Sequence, residues 1–224
     1  MNEAEWIACS DPLSRMQTPE ERGMERKSRL FACACCRRLW PLLSDPRSRI
    51  AVEAAEELAD GKVFPQVQWR AIRNDAFQAW TGLNFATQPI AHRAAQAAFD
   101  VTRDQASFAV RHALVSILDL FDSLYHENAA GAEEKRQQNR LLNDIFGNPF
   151  RPITVHTNWF MWNDGLLHRM ARTIYEERTF DDLTALADAL EEAGCTDRAI
   201  LGHCRSQEPH VRGCWVVDML LGKE

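Results

Sequence analysis

Cysteine and histidine side chains near the two ends of the sequence are the residues best suited to bind a metal ion. The first group is the segment LFACACCRRLW, residues 30–40, which contains Cys33, Cys35 and Cys36. The second group lies between positions 203 and 214 and consists of His203, Cys204, His210 and Cys214. Zinc prefers thiolate and imidazole ligands, and structural zinc sites usually combine two pairs of them. The two groups together could therefore supply one such site.

Helical spacing selects four of these side chains as zinc ligands. Cys33 and Cys36 are three positions apart in a helical segment, so they share one face of that helix. His210 and Cys214 are four positions apart and share a face in a helix that begins at Pro209. In the zinc interpretation, the two helices meet and bind the ion through a Cys₃His set. The alternative is that these cysteines pack as small apolar side chains, as the neighbouring alanines suggest.

The same cysteines allow a different chemistry, nucleophilic catalysis by a thiolate. Arg37 and Arg38 follow Cys35 and Cys36, and a nearby positive charge lowers the pKa of a thiol. Such a nucleophile also needs a base, and nothing in the sequence places a histidine beside it. The common motifs for nucleotides, dinucleotides, zinc proteases and α/β-hydrolases are absent. We therefore expect no enzyme of these classes, while a catalytic site assembled from distant positions stays open.

A proline-stiffened loop followed by tryptophans is the second candidate site, this time for a protein partner. The segment IFGNPFRP, residues 145–152, presents Phe150 and Arg151, and the segment NWFMWND adds Trp159 and Trp162. Aromatic residues and arginine are enriched where protein interfaces bind most tightly. The alternative is a connector that caps a helix and keeps Phe150 inside the fold.

Basic residues near the first cysteine group make nucleic acid a third possible partner. They are Arg26, Lys27, Arg29, Arg37 and Arg38. The net charge of −6 argues against a general nucleic-acid binder, because such proteins usually carry a basic face. The simpler interpretation of this basic run is a solvated helix face.

Helical periodicity dominates the elements that must position these residues. Apolar side chains recur at helical spacing through most of the chain, and no useful stretch alternates as a strand does. The long helical stretch 88–127 needs a break, which we expect near Thr102. We predict an all-α fold, a bundle of about eight helices. We expect residues 1–224 to form one domain with two lobes, 1–130 and 131–224, divided at Gly131.

Composition also indicates the compartment. No stretch reaches the roughly 18 apolar residues of a membrane span, and the acidic start MNEAEWIACSDPLSR lacks the features of a signal peptide. The seven cysteines are odd in number and irregularly spaced, which is typical of reduced thiols. We therefore expect a cytoplasmic protein without a membrane partner.

Several longer motifs add a family resemblance. LFACACCRRLW, DIFGNPFRP, IYEERTFDDLTALADALEEAGC and PHVRGCWVVDMLLGKE resemble a family of uncharacterised bacterial proteins that is abundant in planctomycetes. The resemblance runs along the chain except for residues 62–135. It implies no catalytic residues and little about function, although some members look joined to, or encoded near, small interaction domains.

These observations favour a non-enzymatic helical interaction module in a cytoplasmic bacterial regulatory or defence system. Its binding residues would be Phe150, Arg151, Trp159 and Trp162, with Arg37 and Arg38 as further candidates. The first alternative is a zinc-binding protein that uses Cys33, Cys36, His210 and Cys214. The second alternative is an accessory protein that binds nucleic acid.

Overall fold

The structure is a computed structural model that describes residues 1–16, 24–124, 128–151, 153 and 155–223, with the backbone alone for residues 122–124 and 128–130. Within these ranges every regular element is a helix, so the predicted all-α class is confirmed. The helices outnumber the eight predicted, because several short ones separate the longer ones. The α-helices are α1 (Glu3–Ala8), α2 (Pro12–Arg15), α3 (Glu25–Arg38), α4 (Pro46–Ala59), α5 (Gln66–Thr81), α6 (Pro89–Asp100), α7 (Ala106–Leu124), α8 (Asn128–Phe146), α9 (Thr157–Met161), α10 (Leu166–Glu177), α11 (Leu183–Glu192), α12 (Arg198–Cys204) and α13 (Trp215–Leu221).

The chain divides into two compact units, residues 1–139 and residues 140–224. The boundary predicted at Gly131 lies inside α8, and the structural division comes after Asn139, within the same helix. None of the described helices is both long enough and apolar enough to span a membrane.

Helix α3 is the central element of the N-terminal unit. It packs against α4, α6 and α7. The side chains of Leu30, Phe31, Cys33, Cys35 and Cys36 are all fully buried, so the middle of the helix is apolar on nearly every side. Such a helix is stable only where neighbouring helices surround it.

Helices α6 and α7 pack extensively against each other in this unit. Small side chains on α6 (Ala94, Ala95, Ala97 and Ala98) are buried and allow the two helices to approach closely. The break predicted near Thr102 is confirmed, because α6 ends at Asp100 and α7 begins at Ala106. Arg29 closes this break by donating hydrogen bonds to the carbonyl groups of residues 101, 103 and 104.

The C-terminal unit has its own apolar core. Helix α10 packs against α11 and α13, and α11 packs against α12. The core includes Leu167, Ile174, Leu186, Val216 and Leu220. These core side chains come from α10, α11 and α13.

Candidate metal centre

Four side chains of the C-terminal unit converge in a way that suits a metal ion. Asp144 lies in the last turn of α8, and His203 lies near the end of α12. His210 belongs to the irregular connection between α12 and α13, and Cys214 caps the start of α13. Their potential ligand atoms all lie within 4.8 Å of one another. Aspartate, histidine and cysteine are all established zinc ligands.

The Asp144 carboxylate lies between the two histidines. Its Oδ1 atom is 2.6 Å from Nδ1 of His210 and 3.1 Å from Nε2 of His203. The same Nε2 atom lies 3.2 Å from Sγ of Cys214. Bonds of about 2.0–2.3 Å from zinc to such atoms place tetrahedral ligands about 3.3–3.6 Å apart. Around an ion the 2.6 Å pair would therefore separate by about 0.7–1.0 Å and the other close pairs by a few tenths of an ångström. A pair at the 4.8 Å limit would close by about 1.2–1.5 Å.

Hydrogen bonds outside the cluster orient two of the four side chains. The backbone N–H of Val211 donates to Oδ2 of Asp144 at 2.8 Å, which fixes the rotation of the carboxylate. Ser206 Oγ lies 3.3 Å from Nε2 of His210, on the side of the ring away from Asp144. Partners of this kind fix the tautomer and direction of metal-binding histidines. The site therefore has outer contacts as well as ligands.

Gly147 explains how the ends of α8 and α13 come so close. It follows α8 with a φ of +62°, a backbone conformation that glycine adopts without steric cost. A Cβ atom at this position would lie only 3.2 Å from the Trp215 ring. Because Trp215 directly follows Cys214, this close packing helps to bring Cys214 near Asp144.

Burial and charge control the protonation of two cluster residues. Burial alone would raise the pKa of Asp144, but hydrogen bonds from His203 and His210 outweigh it and hold that pKa below its ordinary value. Burial raises the pKa of Cys214 well above its usual range, and the Asp144 charge raises it further. Without a metal Cys214 is thus a protonated thiol at neutral pH, and a bound ion has to displace its proton.

The geometry does not suit a Cys-His-Asp proton relay. Such a relay uses one ring nitrogen of histidine for the nucleophile and the other for the carboxylate. Here Cys214 and Asp144 both contact the same atom, Nε2 of His203. A metal ion, by contrast, requires ligand atoms that converge on one point, as these atoms do.

One side of the cluster faces open space. A cavity of about 240 Å³ is lined by Asp144, His203 and His210, together with Arg140, Asn143, Ser206, Glu208 and Pro209. Another cavity, of about 360 Å³, shares Ser206 and His210 with it and extends to Thr184 on α11. Small molecules therefore have access to the histidine side of the cluster.

The structure includes two of the four predicted zinc ligands in this cluster. His210 and Cys214 belong to it, but the reason given for their proximity was wrong: α13 begins at Trp215, so the two residues do not share a helix face. Gly213, with a φ of +96°, interrupts the predicted helix just before that start. Cys33 and Cys36 are buried in α3 of the N-terminal unit, and their part in a ligand set stays a prediction.

Sequence reasoning missed Asp144 and did not select His203. His203 stood in the C-terminal group, but the sequence assigns it to the helix before Pro209, so it forms no pair with His210 within one helix. Asp144 is far from the group in sequence and looks like an ordinary polar residue of an amphipathic helix. A contact over such a separation leaves no local signal.

The structure does not support a thiolate nucleophile at Cys35 or Cys36. Cys35 and Cys36 are fully buried, and burial raises the pKa of both thiols well above the usual value. The positive charge of Arg38 lowers the pKa of Cys35, but the effect of burial is larger. Protonated and enclosed thiols are poor nucleophiles.

The predicted interaction residues differ in accessibility. Trp159 is buried in the C-terminal core, while Phe150 and Trp162 are half-buried and Arg151 is exposed. Among the described residues of this region, Met161 is the most accessible apolar side chain, at 80% exposed, and its neighbour Phe160 is partly exposed. A turn follows in which Asn163, Asp164 and Gly165 all have positive φ values.

The basic residues near the first cysteine group are largely paired. Arg37 forms two hydrogen bonds to Glu56, and Arg38 forms two to Glu134. Arg26 contacts Asp60, and Arg29 is buried against backbone carbonyls. These contacts neutralise much of the charge that would attract a nucleic acid.

Comparison with known proteins provides no relative. No protein-family model matches this chain, and neither a curated protein nor a solved structure is significantly similar to it. The function has to be inferred from the site itself.

Proposed function

We propose that this protein binds zinc through Asp144, His203, His210 and Cys214. The observation that supports the proposal is the convergence of four ligand atoms within 4.8 Å on the open side of a folded unit. One thiolate and two imidazoles favour zinc over magnesium or calcium, which prefer oxygen ligands. The ligands come from four separate chain segments, so bound zinc would also stabilise the C-terminal unit.

The role of the ion in this proposal is first of all structural. Four protein ligands are typical of a structural zinc site, whereas catalytic sites usually have three.

We place the protein in the cytoplasm, and its free cysteines support this because none of the seven forms a disulfide.

Metal analysis of the purified, untagged protein tests the proposal. We expect one zinc per chain after reconstitution with zinc and removal of excess metal. The variant Cys214→Ala should lose the ion, because it removes the only thiolate ligand of the set. The matched control is Cys204→Ala, which removes another buried cysteine of the same unit and should retain zinc. Wild-type protein that holds no stoichiometric zinc would refute the proposal.

We also propose a second function, binding of a protein partner near α9. The exposure of Met161 and Phe160 beside the Asn163–Asp164 turn supports it, since exposed apolar side chains beside an ordered turn often contact partners. The double variant Phe160→Ser/Met161→Ser should keep its thermal stability and lose partners that the wild type captures. Unchanged partners would contradict this function.

Binding of a nucleic acid receives less support, because Arg26, Arg37 and Arg38 are paired with carboxylates of the protein itself.

A further inference from the structure

The four ligands of the proposed zinc site are enclosed to different degrees. Cys214 is completely buried, and the side chain of Asp144 is 2% exposed. The side chains of His210 and His203 are 7% and 16% exposed. Among the described residues, the three ligands other than Cys214 line the 240 Å³ cavity. An ion held here would be closed on the sulfur side and accessible on the histidine side.

The cavity has room for an additional ligand next to the ion. A water molecule takes up about 30 Å³ in the liquid, so the cavity accommodates several waters or a small organic anion. Zinc also changes readily from four to five ligands, because its filled d shell imposes no geometry. Space and coordination chemistry therefore both allow an external ligand.

The other side chains of the cavity indicate the charge of that ligand. Arg140 and Asn143 line it, and they place a guanidinium and an amide near the ligand cluster. The Nε atom of Arg140 lies 3.0 Å from Oε2 of Glu208, which lines the same cavity. The protein thus already holds one of its own carboxylates against Arg140. Both side chains are about half exposed, so this pair can exchange with an incoming anion at small energetic cost.

We propose that the zinc centre binds a small carboxylate anion from this cavity as an external ligand. One carboxylate oxygen would contact the ion, and Arg140 would bind the negative charge while Glu208 competes for the same guanidinium. This inference rests on the proposed zinc site and adds a ligand class to it. It also makes a sharp prediction: replacing Arg140 and replacing Glu208 change the affinity in opposite directions.

Cobalt substitution in the full-length chain provides the test. Co²⁺ occupies zinc sites, and its visible absorption changes with the number and type of its ligands. Acetate would be titrated into the Co²⁺ protein at constant ionic strength, with perchlorate as a weakly coordinating salt. We expect the absorption bands to change and to saturate. Arg140→Gln should weaken acetate binding by about tenfold, the value of one charge-assisted hydrogen bond, and Glu208→Gln should strengthen it. Both variants should bind one Co²⁺ per chain, because neither residue is in the ligand set.

Each outcome separates the two proposals. If the wild type binds no cobalt or zinc, the proposed function fails together with this inference. If cobalt binds and acetate leaves its spectrum unchanged, the site is closed and this inference alone is wrong. If acetate changes the spectrum equally in the wild type and both variants, the anion does not bind in this cavity, and the inference is again refuted.

Discussion

At Asp144 a single buried carboxylate has three hydrogen-bond partners. It accepts hydrogen bonds from two histidines and from the backbone N–H of Val211. A buried carboxylate without partners would be strongly destabilising, so these contacts are needed in the metal-free protein as well. The same arrangement keeps the carboxylate ionised, which is the form that binds a metal ion. The network thus prepares the site before the ion arrives.

The buried thiol of Cys214 makes zinc affinity depend on pH. Its pKa is raised well above the usual range, so the metal-free protein carries a thiol and the zinc-bound protein carries a thiolate. Binding therefore releases a proton, and the association constant should rise with pH, by up to about tenfold per unit between pH 7 and 8.5. Competition with a chelator of known affinity at each pH measures this slope. An affinity that does not change over this range would show that Cys214 is not a ligand.

At the scale of elements, the sequence predicts the helices better than the connections between them. Apolar periodicity predicts the all-α class and the break between α6 and α7, because both depend on local residue patterns. It fails at the start of α13, where Pro209 looks like a helix start but the helix begins at Trp215. The intervening residues follow tertiary contacts, such as Val211 with Asp144, that no local pattern encodes. For the same reason, sequence patterns did not select two of the four proposed ligands, Asp144 and His203.

The packing of Gly147 against Trp215 leads to a prediction with a close control. Gly147→Ala places a methyl group about 3.2 Å from the Trp215 ring and strains a positive φ. Gly194→Ala also strains a positive φ, of +90°, but has no neighbouring atom within 4 Å. We expect Gly147→Ala to reduce the free energy of unfolding by about 1–3 kcal/mol more than Gly194→Ala, because overpacking adds to backbone strain. We also expect only Gly147→Ala to weaken zinc binding.

Urea unfolding and zinc competition on both variants measure these two effects. Equal losses of stability would show that the Trp215 contact adds nothing to backbone strain. Normal zinc affinity in Gly147→Ala would show that α8 and α13 do not need this packing to position Asp144 and Cys214.

For the whole molecule, zinc should stabilise the C-terminal unit selectively. All four proposed ligands lie within residues 140–224, and an ion at 100 times its dissociation constant adds about 2.7 kcal/mol to the state that binds it. Hydrogen exchange should therefore slow in the last turn of α8 and in residues 198–223 when zinc is added. Exchange in α3 should stay the same in the presence and absence of the ion. Equal protection of α3 would point to ligands in the N-terminal unit, such as Cys33 and Cys36.

The distance in sequence between Asp144 and Cys214 gives the proposed site a mechanical consequence. An ion that joins these two residues closes the chain between them into a loop. A pulling force applied at residues 140 and 223 would pass through the metal–ligand bonds and bypass α10, α11 and α12. The loop contains roughly 240 Å of extended chain, at about 3.5 Å per residue, and this length would appear only after the ion is released. In a single-molecule pulling experiment, the zinc-bound protein should therefore release this length in a separate step that follows loss of the ion. The zinc-free protein should release the same length without that separate step.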